Sequence, residues 1–263
     1  MSTFASRYGP WGVVAGGSEG LGAAWSWGLA KRGLDLLLVA RRVEPAEALA
    51  GEIRSRTGVR VEVCVADLSR PEAPHQLRTQ MADHDVGLFI YNAALAPGGP
   101  FAELEADVLS RTLHTNVITP SHLIHELLPG LLERPRAGVI LVSSLAGFVG
   151  SAQLATYSAT KAYLRVLAEA LYEEYRSLGL DILTVTPGAI TTPGLSSRST
   201  KPIPGQLAPA RVVESALTRL GTGPLVIPGL TNQIAAALLG RLLPTKAATA
   251  MMRRSSAGIA TGS

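Results

Sequence analysis

The sequence has little cysteine, few aromatic residues and few charges for its length. Cys64 is the only cysteine among 263 residues, which excludes an intramolecular disulfide and a cysteine-rich zinc or iron–sulfur site. It lies in the apolar run 61–66, so we expect it to be buried. Aromatic residues make up 5% and charged residues 17% of the chain, whereas 47% is apolar. This composition excludes disorder as the main state and requires a core of alanine, valine, leucine and isoleucine.

The sequence also lacks long apolar runs and dense blocks of charge. No stretch of about 18 uncharged apolar residues occurs, residues 1–10 contain no apolar signal core, and Arg241 interrupts the segment 234–243. We therefore expect a cytoplasmic protein.

The net charge of +4 comes from scattered basic residues, which argues against a nucleic-acid partner. The histidines lack metal-ligand spacing, so we expect no metal site: His75, His84, His114, His122 and His125.

Short apolar runs alternate with longer segments of helical pattern along the chain. The runs have consecutive apolar positions, as in strands buried on both faces of a parallel sheet. The predicted strands are 13–15, 34–40, 59–66, 86–91, 139–143, 182–186 and 225–228. The predicted helices are 21–32, 44–57, 72–83, 103–132, 156–178 and 209–220. This alternation predicts an α/β fold, a single Rossmann-type domain over residues 1–263 with a doubly wound parallel sheet of about seven strands and helices on both faces.

Two segments interrupt the alternation. Residues 191–207 are rich in Ser, Thr, Pro and Gly, and we interpret them as a lid over a substrate site. Residues 230–254 are rich in Leu and Ala with interspersed cations, which predicts a C-terminal helical segment. It could lie on a membrane as a basic amphipathic helix. We favour the alternative in which it closes the substrate pocket or packs in an oligomer.

A glycine-rich turn joins the first predicted strand to the first helix. Its glycines Gly16, Gly20 and Gly22 allow a sharp turn and a close approach of the backbone to a pyrophosphate. The N–H groups at the start of the following helix favour an anion. The turn therefore predicts a dinucleotide-binding site.

The end of the second predicted strand distinguishes NAD from NADP. A carboxylate at this point binds a ribose 2′-hydroxyl, whereas an arginine binds a 2′-phosphate. Here the strand ends in Arg41 and Arg42, and Asp35 lies at its other end. A guanidinium matches a phosphate in charge and geometry, so we predict NADP(H). Of the two arginines, Arg42 is the better candidate for a solvent-exposed bystander.

Tyr157 and Lys161 are four residues apart in a predicted helix, so their side chains share a face. A nearby ammonium, together with a positively charged nicotinamide ring, favours the phenolate and lowers the pKa of a tyrosine. A tyrosine so tuned can exchange a proton with a carbonyl or alcohol oxygen near neutral pH. Ser144 precedes Tyr157 by 13 positions and follows the fifth predicted strand.

Taken together, these motifs resemble the short-chain dehydrogenase/reductase family over residues from about 11 to 192. The glycine spacing of residues 16–22 is similar to that of the family, although Ala15 stands where the family usually has Thr. The family's Ser-x12-Tyr-x3-Lys triad, with a helix asparagine as fourth member, is matched by Asn116, Ser144, Tyr157 and Lys161.

The resemblance implies a role for each of these four residues. Tyr157 would be the general acid/base, and Ser144 would donate a hydrogen bond to the substrate oxygen. Lys161 would bind the nicotinamide ribose and tune Tyr157, and Asn116 would support a proton relay to solvent. Hydride would pass directly between the nicotinamide and the substrate carbon.

The resemblance also implies a cofactor site and an assembly. Asp67 matches the acid that contacts adenine, and residues 187–192 match the segment that holds the nicotinamide amide. A homodimer or homotetramer is implied, through the helices that contain Asn116 and Tyr157. Besides Tyr157 and Lys161, the expected cofactor contacts are Gly16, Ser18, Glu19, Gly20, Leu21, Gly22, Arg41, Arg42, Asp67, Leu68, Asn92, Ala93, Ala94, Pro187, Gly188, Ile190 and Thr192.

The substrate is less well defined. Segments 95–100, 145–153 and 189–195 are mostly small and apolar, which favours a hydrophobic ketone or secondary alcohol. Within the family, residues 7–12 and 143–147 are similar to hydroxysteroid dehydrogenases. One alternative is a 3-oxoacyl carrier-protein reductase with a basic entrance formed by Arg198 and Lys201. Another is a non-catalytic NADP(H)-binding sensor, a class that typically lacks the tyrosine or the lysine.

Overall fold

The computed structural model describes residues 3–191 and 204–256, and the side chains of residues 254–256 are not part of this description. Thr192, Arg198, Lys201 and most of the predicted lid lie outside the described residues.

The core of the fold is a parallel sheet of seven strands, in the order β3-β2-β1-β4-β5-β6-β7. Strands β1 to β3 follow one another toward one edge of the sheet, and β4 to β7 follow one another toward the other edge. This reversal of strand order between β1 and β4 creates a crevice at their carboxyl ends. The doubly wound prediction is confirmed. The strands are β1 (Trp11–Ala15), β2 (Asp35–Ala40), β3 (Val61–Val65), β4 (Val86–Tyr91), β5 (Ala137–Val142), β6 (Leu180–Val185) and β7 (Leu225–Val226).

Helices cover both faces of the sheet because alternate strand residues point to opposite sides. On one face, Val14 and Leu36 pack in a core with Trp25. On the other face, Val13 and Leu37 belong to a separate core. The helices are α1 (Phe4–Tyr8), α2 (Gly20–Ala30), α3 (Val43–Thr57), α4 (Ala73–Met81), α5 (Ala106–Leu113), α6 (Thr119–Leu132), α7 (Ala155–Tyr175), α8 (Pro209–Arg219), α9 (Leu230–Ala237) and α10 (Thr245–Ser256).

The predicted helix 103–132 is interrupted in the structure. A short 3-10 turn, Phe101–Glu103, comes first, and the extended backbone of Glu105 separates it from α5. One π-helical turn, His114–Ile118, then joins α5 to α6. Such turns are uncommon and often occur at functional sites. The spacing of apolar residues in the sequence predicts a continuous α-helix here and does not reveal the wider π-helical turn.

The C-terminal helices pack against the loop that follows β5. One π-helical turn, Leu238–Leu242, follows α9, and Leu239 and Met252 form a small core with Phe148. A Cβ atom at Gly240 would lie 3.0 Å from the Phe148 ring. Within residues 3–191 and 204–256, no helix is long and apolar enough to cross a membrane.

A network of two buried groups, Tyr8 and Asp181, and the partly exposed Arg136 connects α1 to β6. The Tyr8 hydroxyl donates to Asp181 Oδ2 at 2.6 Å, and Arg136 Nη1 donates to the same carboxylate at 2.8 and 3.0 Å. Tyr8 is 1% and Asp181 6% exposed. Burial, together with the hydrogen bond to Asp181, raises the pKa of the Tyr8 phenol. The network holds α1, an element that the sequence did not predict, at the amino ends of the central strands.

We expect Tyr8→Phe to lower the free energy of unfolding by about 2 kcal/mol, because it removes a buried hydrogen bond to a charged group. Urea unfolding monitored by circular dichroism measures the change. The control is Arg56→Gln, which removes an exposed pair with Glu52 and should cost less than about 0.5 kcal/mol. Equal effects of the two substitutions would contradict a stabilising role for the network.

Candidate active site

The glycine turn between β1 and α2 is held by backbone contacts that exclude side chains. Gly16 has a φ of +78°, and its N–H donates to the Val39 carbonyl at 2.8 Å. A Cβ atom at Gly22 would lie 1.8 Å from the Gly16 carbonyl oxygen. Asn92 Nδ2 donates to that oxygen at 3.0 Å. Glycine is therefore required sterically at Gly22 and conformationally at Gly16.

Helix α2 begins at the edge of a cavity without a side-chain cap. Glu19 is its N-cap residue, and its carboxylate makes no hydrogen bond to the first turn. The N–H groups of a first helical turn have no acceptor within the helix. This end of α2 can therefore receive an anion.

The cavity has a volume of about 460 Å³ and lies at the carboxyl ends of the central strands. It brings together most of the residues that the sequence singled out. The predicted residues that line it are Gly16, Ser18, Glu19, Leu21, Arg41, Arg42, Asp67, Leu68, Asn92, Ala93, Ala94, Ser144, Tyr157, Lys161, Pro187, Gly188 and Ile190.

Three predicted residues are not part of the lining, and several lining residues were not predicted. Gly20, Gly22 and Asn116 do not line the cavity. Several missed residues directly precede a predicted motif, so the rule that ligands lie beyond the carboxyl ends of parallel strands could have found them. The missed lining residues are Val39, Ala40, Ala66, Ser69, Thr115, Val142 and Ser143, whereas Leu95 belongs to the segment 95–100 that the sequence assigned to the substrate pocket.

The two arginines after β2 have different surroundings. Arg42 forms an ion pair with Glu19, and both side chains are exposed. Arg41 lies near Asp67. Burial raises the pKa of Asp67, but hydrogen bonds from Ser69 and the charge of Arg41 outweigh this and hold the pKa below its usual value. The carboxylate of Asp67 is thus ionised, and Arg41 is the more available cation.

Helix α7 is fastened to the end of β5 through Lys161. The Lys161 side chain is 2% exposed, and its Nζ donates to the Val142 carbonyl at 2.7 Å. The Ser143 hydroxyl donates to the Lys161 carbonyl at 2.7 Å. These bonds bring Tyr157 beside the strand end, with its ring centroid 5.6 Å from Lys161 Nζ.

The electrostatics of Tyr157 depend mainly on burial. Burial raises its pKa, and a hydrogen bond with the Ser144 side chain lowers it only in part. Burial also lowers the pKa of Lys161 to about 7. Without the nucleotide, burial therefore has the largest effect on the Tyr157 pKa. The expectation of a lowered pKa concerned the phenol beside both the Lys161 ammonium and a charged nicotinamide ring, and it stays a prediction. Desolvation favours the neutral form of both groups.

Asn116 occupies a bracing position on the π-helical turn. Its side chain is 0% exposed. Oδ1 accepts from the Leu95 N–H at 2.8 Å, and Nδ2 donates to the Leu95 carbonyl at 2.8 Å and to Thr160 Oγ1 at 3.0 Å. Both amide hydrogens are thus committed. The side chain joins the segment after β4 to α7 instead of facing the cavity.

No group of three or more potential metal-ligating side chains occurs in the described part of the chain. Cys64 is 2% exposed, as predicted, and burial raises the pKa of its thiol to about 11.

We expect the free energy of unfolding of the nucleotide-free protein to rise between about pH 7 and 9. In this range the unfolded chain keeps a proton on Lys161 that the folded protein has released, so stability increases by up to about 1.4 kcal/mol per pH unit. Lys161→Met removes this contribution, which urea unfolding at three pH values would measure. The exposed Lys246→Met serves as the control. An identical pH slope in wild type and Lys161→Met would contradict the assignment.

The chain matches the short chain dehydrogenase family over residues 11–202. It is 32% identical over 221 residues to 7beta-hydroxysteroid dehydrogenase from Clostridium sardiniense, covering 83% of this chain and 85% of the relative. It is 34% identical over 189 residues to hydroxysteroid dehydrogenase-like protein 1 from Gallus gallus, and 33% identical over the same number to the inactive human protein of that name. These alignments cover 71% of this chain but only 57% of either relative.

Solved structures of short-chain dehydrogenases are similar to this chain as well. A structure of a 7beta-hydroxysteroid dehydrogenase superposes with a TM-score of 0.91 at 29% identity, covering 95% of this chain and 99% of that one. A short-chain dehydrogenase from Sphingobium yanoikuyae in complex with NADPH gives a TM-score of 0.78 at 28% identity, covering 84% and 88%. The chain belongs to the short chain dehydrogenase family, whose members are oxidoreductases that use NAD or NADP.

Proposed function

We propose that the protein is an NADP(H)-dependent oxidoreductase that interconverts a ketone and a secondary alcohol on a hydrophobic substrate, with a steroid as the leading candidate. One observation carries the proposal. The side chains of Ser144, Tyr157 and Lys161 line the same cavity as the glycine turn and Arg41. Groups suited to proton transfer and groups suited to a dinucleotide thus surround one space.

The lining fits a phosphorylated dinucleotide. The uncapped start of α2 suits the pyrophosphate, and Arg41 suits a ribose 2′-phosphate. Thr115 also lines the cavity, and its buried hydroxyl has no hydrogen-bond partner among the described residues. A buried hydroxyl without a partner is costly, so a bound polar molecule would stabilise it. The NADPH-bound relative supports the same cofactor class.

The nicotinamide cofactor supplies the hydride, and the chain's own residues manage the oxygen and the proton. The Tyr157 phenol, kept neutral by burial, would donate its proton to the carbonyl oxygen during reduction. The Ser144 hydroxyl would hold that oxygen in place. Lys161 would bind the nicotinamide ribose. Asn116 would hold the backbone of Leu95 against α7 through its hydrogen bonds to Leu95 and Thr160.

Three observations support a hydrophobic, steroid-like substrate. Two of the similar proteins are 7beta-hydroxysteroid dehydrogenases. Leu95 and Ile190, both apolar, line the cavity. The opening segment, residues 7–12, resembles hydroxysteroid dehydrogenases in sequence. The alternative of a carrier-protein reductase depended on Arg198 and Lys201, which lie outside the described residues.

The sensor alternative must be weighed because a related human protein is named inactive. Ser144, Tyr157 and Lys161 are all retained here and converge on one cavity, which favours catalysis. The family commonly forms oligomers, and the exposure of Leu113, Tyr163 and Val166 supports a homodimer formed through α5 and α7. Light scattering of the purified protein measures the number of subunits.

The proposal is tested by following NADPH oxidation at 340 nm with a panel of bulky ketones, including steroids, and with carrier-bound 3-oxoacyl substrates. Parallel assays use NADH. Turnover of a steroid ketone with NADPH supports the proposal. Turnover of carrier-bound substrates alone favours the reductase alternative, and tight NADPH binding without any turnover favours the sensor.

We expect Tyr157→Phe to lower turnover about a thousandfold, because it removes the general acid. The NADPH dissociation constant should change little, since the phenyl ring remains. Stopped-flow kinetics and fluorescence titration measure the two quantities. Tyr163→Phe, on an exposed part of the same helix, is the matched control. Near-normal turnover of Tyr157→Phe would overturn the mechanism.

We expect Arg41→Asp to shift the ratio of kcat/KM for NADPH and NADH about a hundredfold toward NADH, because the 2′-phosphate loses a cation and meets a like charge. Arg42→Gln is the control. Its guanidinium is already paired with Glu19, so the ratio should change little. An unchanged ratio in Arg41→Asp would mean that another residue recognises the phosphate.

A further inference from the structure

A second cavity lies on another side of α7, beneath the C-terminal helix α10. Its volume is about 750 Å³, within the range of small-molecule sites. In the described part of the chain, it shares no lining residue with the candidate active site. It is lined by Ala146, Gly147, Phe148, Val149, Gly150, Ser151, Ala152, Ala155, Ser158, Ala159, Ala162, Arg165, Thr249, Ala250 and Arg253.

Packing between distant segments forms this cavity. Phe148 and Val149 contact a small core of Leu239, Ala248 and Met252, so α10 is fixed over the loop after β5. The floor and walls consist largely of alanine and glycine, which leaves space between the elements. An apolar molecular body would bury surface here without displacing a large side chain.

One wall carries a buried hydroxyl without a partner. Ser158 is 3% exposed, and among the described residues its Oγ has no hydrogen bond. Buried polar groups are normally satisfied, and each exception calls for an explanation. Because Ser158 lines the cavity, its hydroxyl can donate a hydrogen bond to an oxygen atom of a bound molecule.

The polar groups of the cavity favour a negative charge. Arg165 and Arg253 line it, and the lining contains no Asp or Glu. Arg165 stacks over the Phe148 ring at 5.0 Å. Its Nη1 donates to Glu169 at 2.8 Å, but among the described residues its buried Nε has no partner.

Two features of the backbone and the sequence add to this preference. The 21-residue helix α7 begins at Ala155, a lining residue, without a side-chain cap, and helix N-termini favour anions. In addition, residues 215–256 contain no Asp or Glu.

We propose that this cavity binds a small molecule with an apolar body and a terminal carboxylate. The carboxylate lies between Arg253, Arg165 and the Ser158 hydroxyl, where a planar pair of oxygens matches the guanidinium donors. The apolar body lies along the alanine and glycine wall. Because Ala146 and Gly147 follow Ser144 in one short turn, the bound molecule contacts the same turn that presents Ser144 to the first cavity.

Calorimetric titration of the full chain, saturated with NADPH, tests the proposal. The probes are dodecanoate, below its micellar concentration, and dodecanol, which has the same chain length without the charge. Dodecanoate should bind about tenfold or more tightly than dodecanol, as expected for one charge-assisted contact. No binding of dodecanoate, or equal binding of both probes, would overturn the proposal.

Substitutions show whether binding occurs in this cavity. Arg253→Gln should weaken dodecanoate binding about tenfold, and Ala162→Leu, which fills the cavity, should abolish it. The control Lys246→Gln changes a cation on α10 that does not line the cavity and should have no effect. Unchanged binding in Arg253→Gln would place the probe elsewhere and refute the proposal.

A second copy of the chain is the competing occupant. In that case wild type would not bind dodecanoate, and Ala162→Leu would dissociate the oligomer in light-scattering measurements. The failure of dodecanoate to bind contradicts a ligand site, whereas an oligomeric wild type alone does not, because the proposed homodimer also forms through α5 and α7. The inference is independent of the proposed catalytic function, because Tyr157→Phe should lose turnover and still bind dodecanoate with wild-type affinity.

Discussion

The attachment of α7 to the carboxyl end of β5 is the constraint on which the rest of the site depends. The Lys161 amine reaches the Val142 carbonyl, and the Ser143 hydroxyl returns to the Lys161 carbonyl. A Cβ atom at Gly147 would lie 2.8 Å from the Lys161 backbone, so the turn after β5 can approach the helix only because this residue is glycine. Tyr157 takes its position from this contact.

The same helix organises the segment after β4. Thr160 accepts a hydrogen bond from Asn116, whose side chain also holds both backbone groups of Leu95. Movement of α7 would therefore disturb two walls of the cavity at once. The arrangement is rigid because the polar groups involved are buried and mutually satisfied.

The electrostatic character of the site follows from burial more than from paired charges. Burial raises the pKa of Tyr157 and lowers that of Lys161 to about 7, whereas Arg41 and the uncapped end of α2 provide positive potential at the opposite end of the cavity. A polyanionic dinucleotide would be attracted at one end. The buried Lys161 and the partly buried Tyr157 lie at the other end.

Much of the fold and site could be predicted from local patterns. Consecutive apolar residues predicted the strands, and four-residue spacing placed Tyr157 beside Lys161. The glycines at residues 16–22 predicted the turn between β1 and α2. Each of these signals lies within a few neighbouring residues, where the local backbone geometry determines which side chains come into contact.

Contacts between distant residues could not be predicted in this way. The Tyr8 hydroxyl meets Asp181 across 173 positions, and no periodic pattern links the two. Asn116 was identified as a site residue, but its hydrogen bond with Leu95 and its place on a π-helical turn were not predicted. The second cavity exists because Met252 packs with Phe148, which only the folded chain brings together.

The central claim, that this site transfers a hydride directly from the nicotinamide to a carbonyl carbon, is tested most directly with isotopic label. NADPH deuterated at C4 on the transferred face is incubated with a bulky ketone that the enzyme reduces, and the product alcohol is examined by mass spectrometry and NMR. The account predicts one deuterium on the carbinol carbon. An unlabelled carbinol carbon, with deuterium lost to solvent, would contradict it.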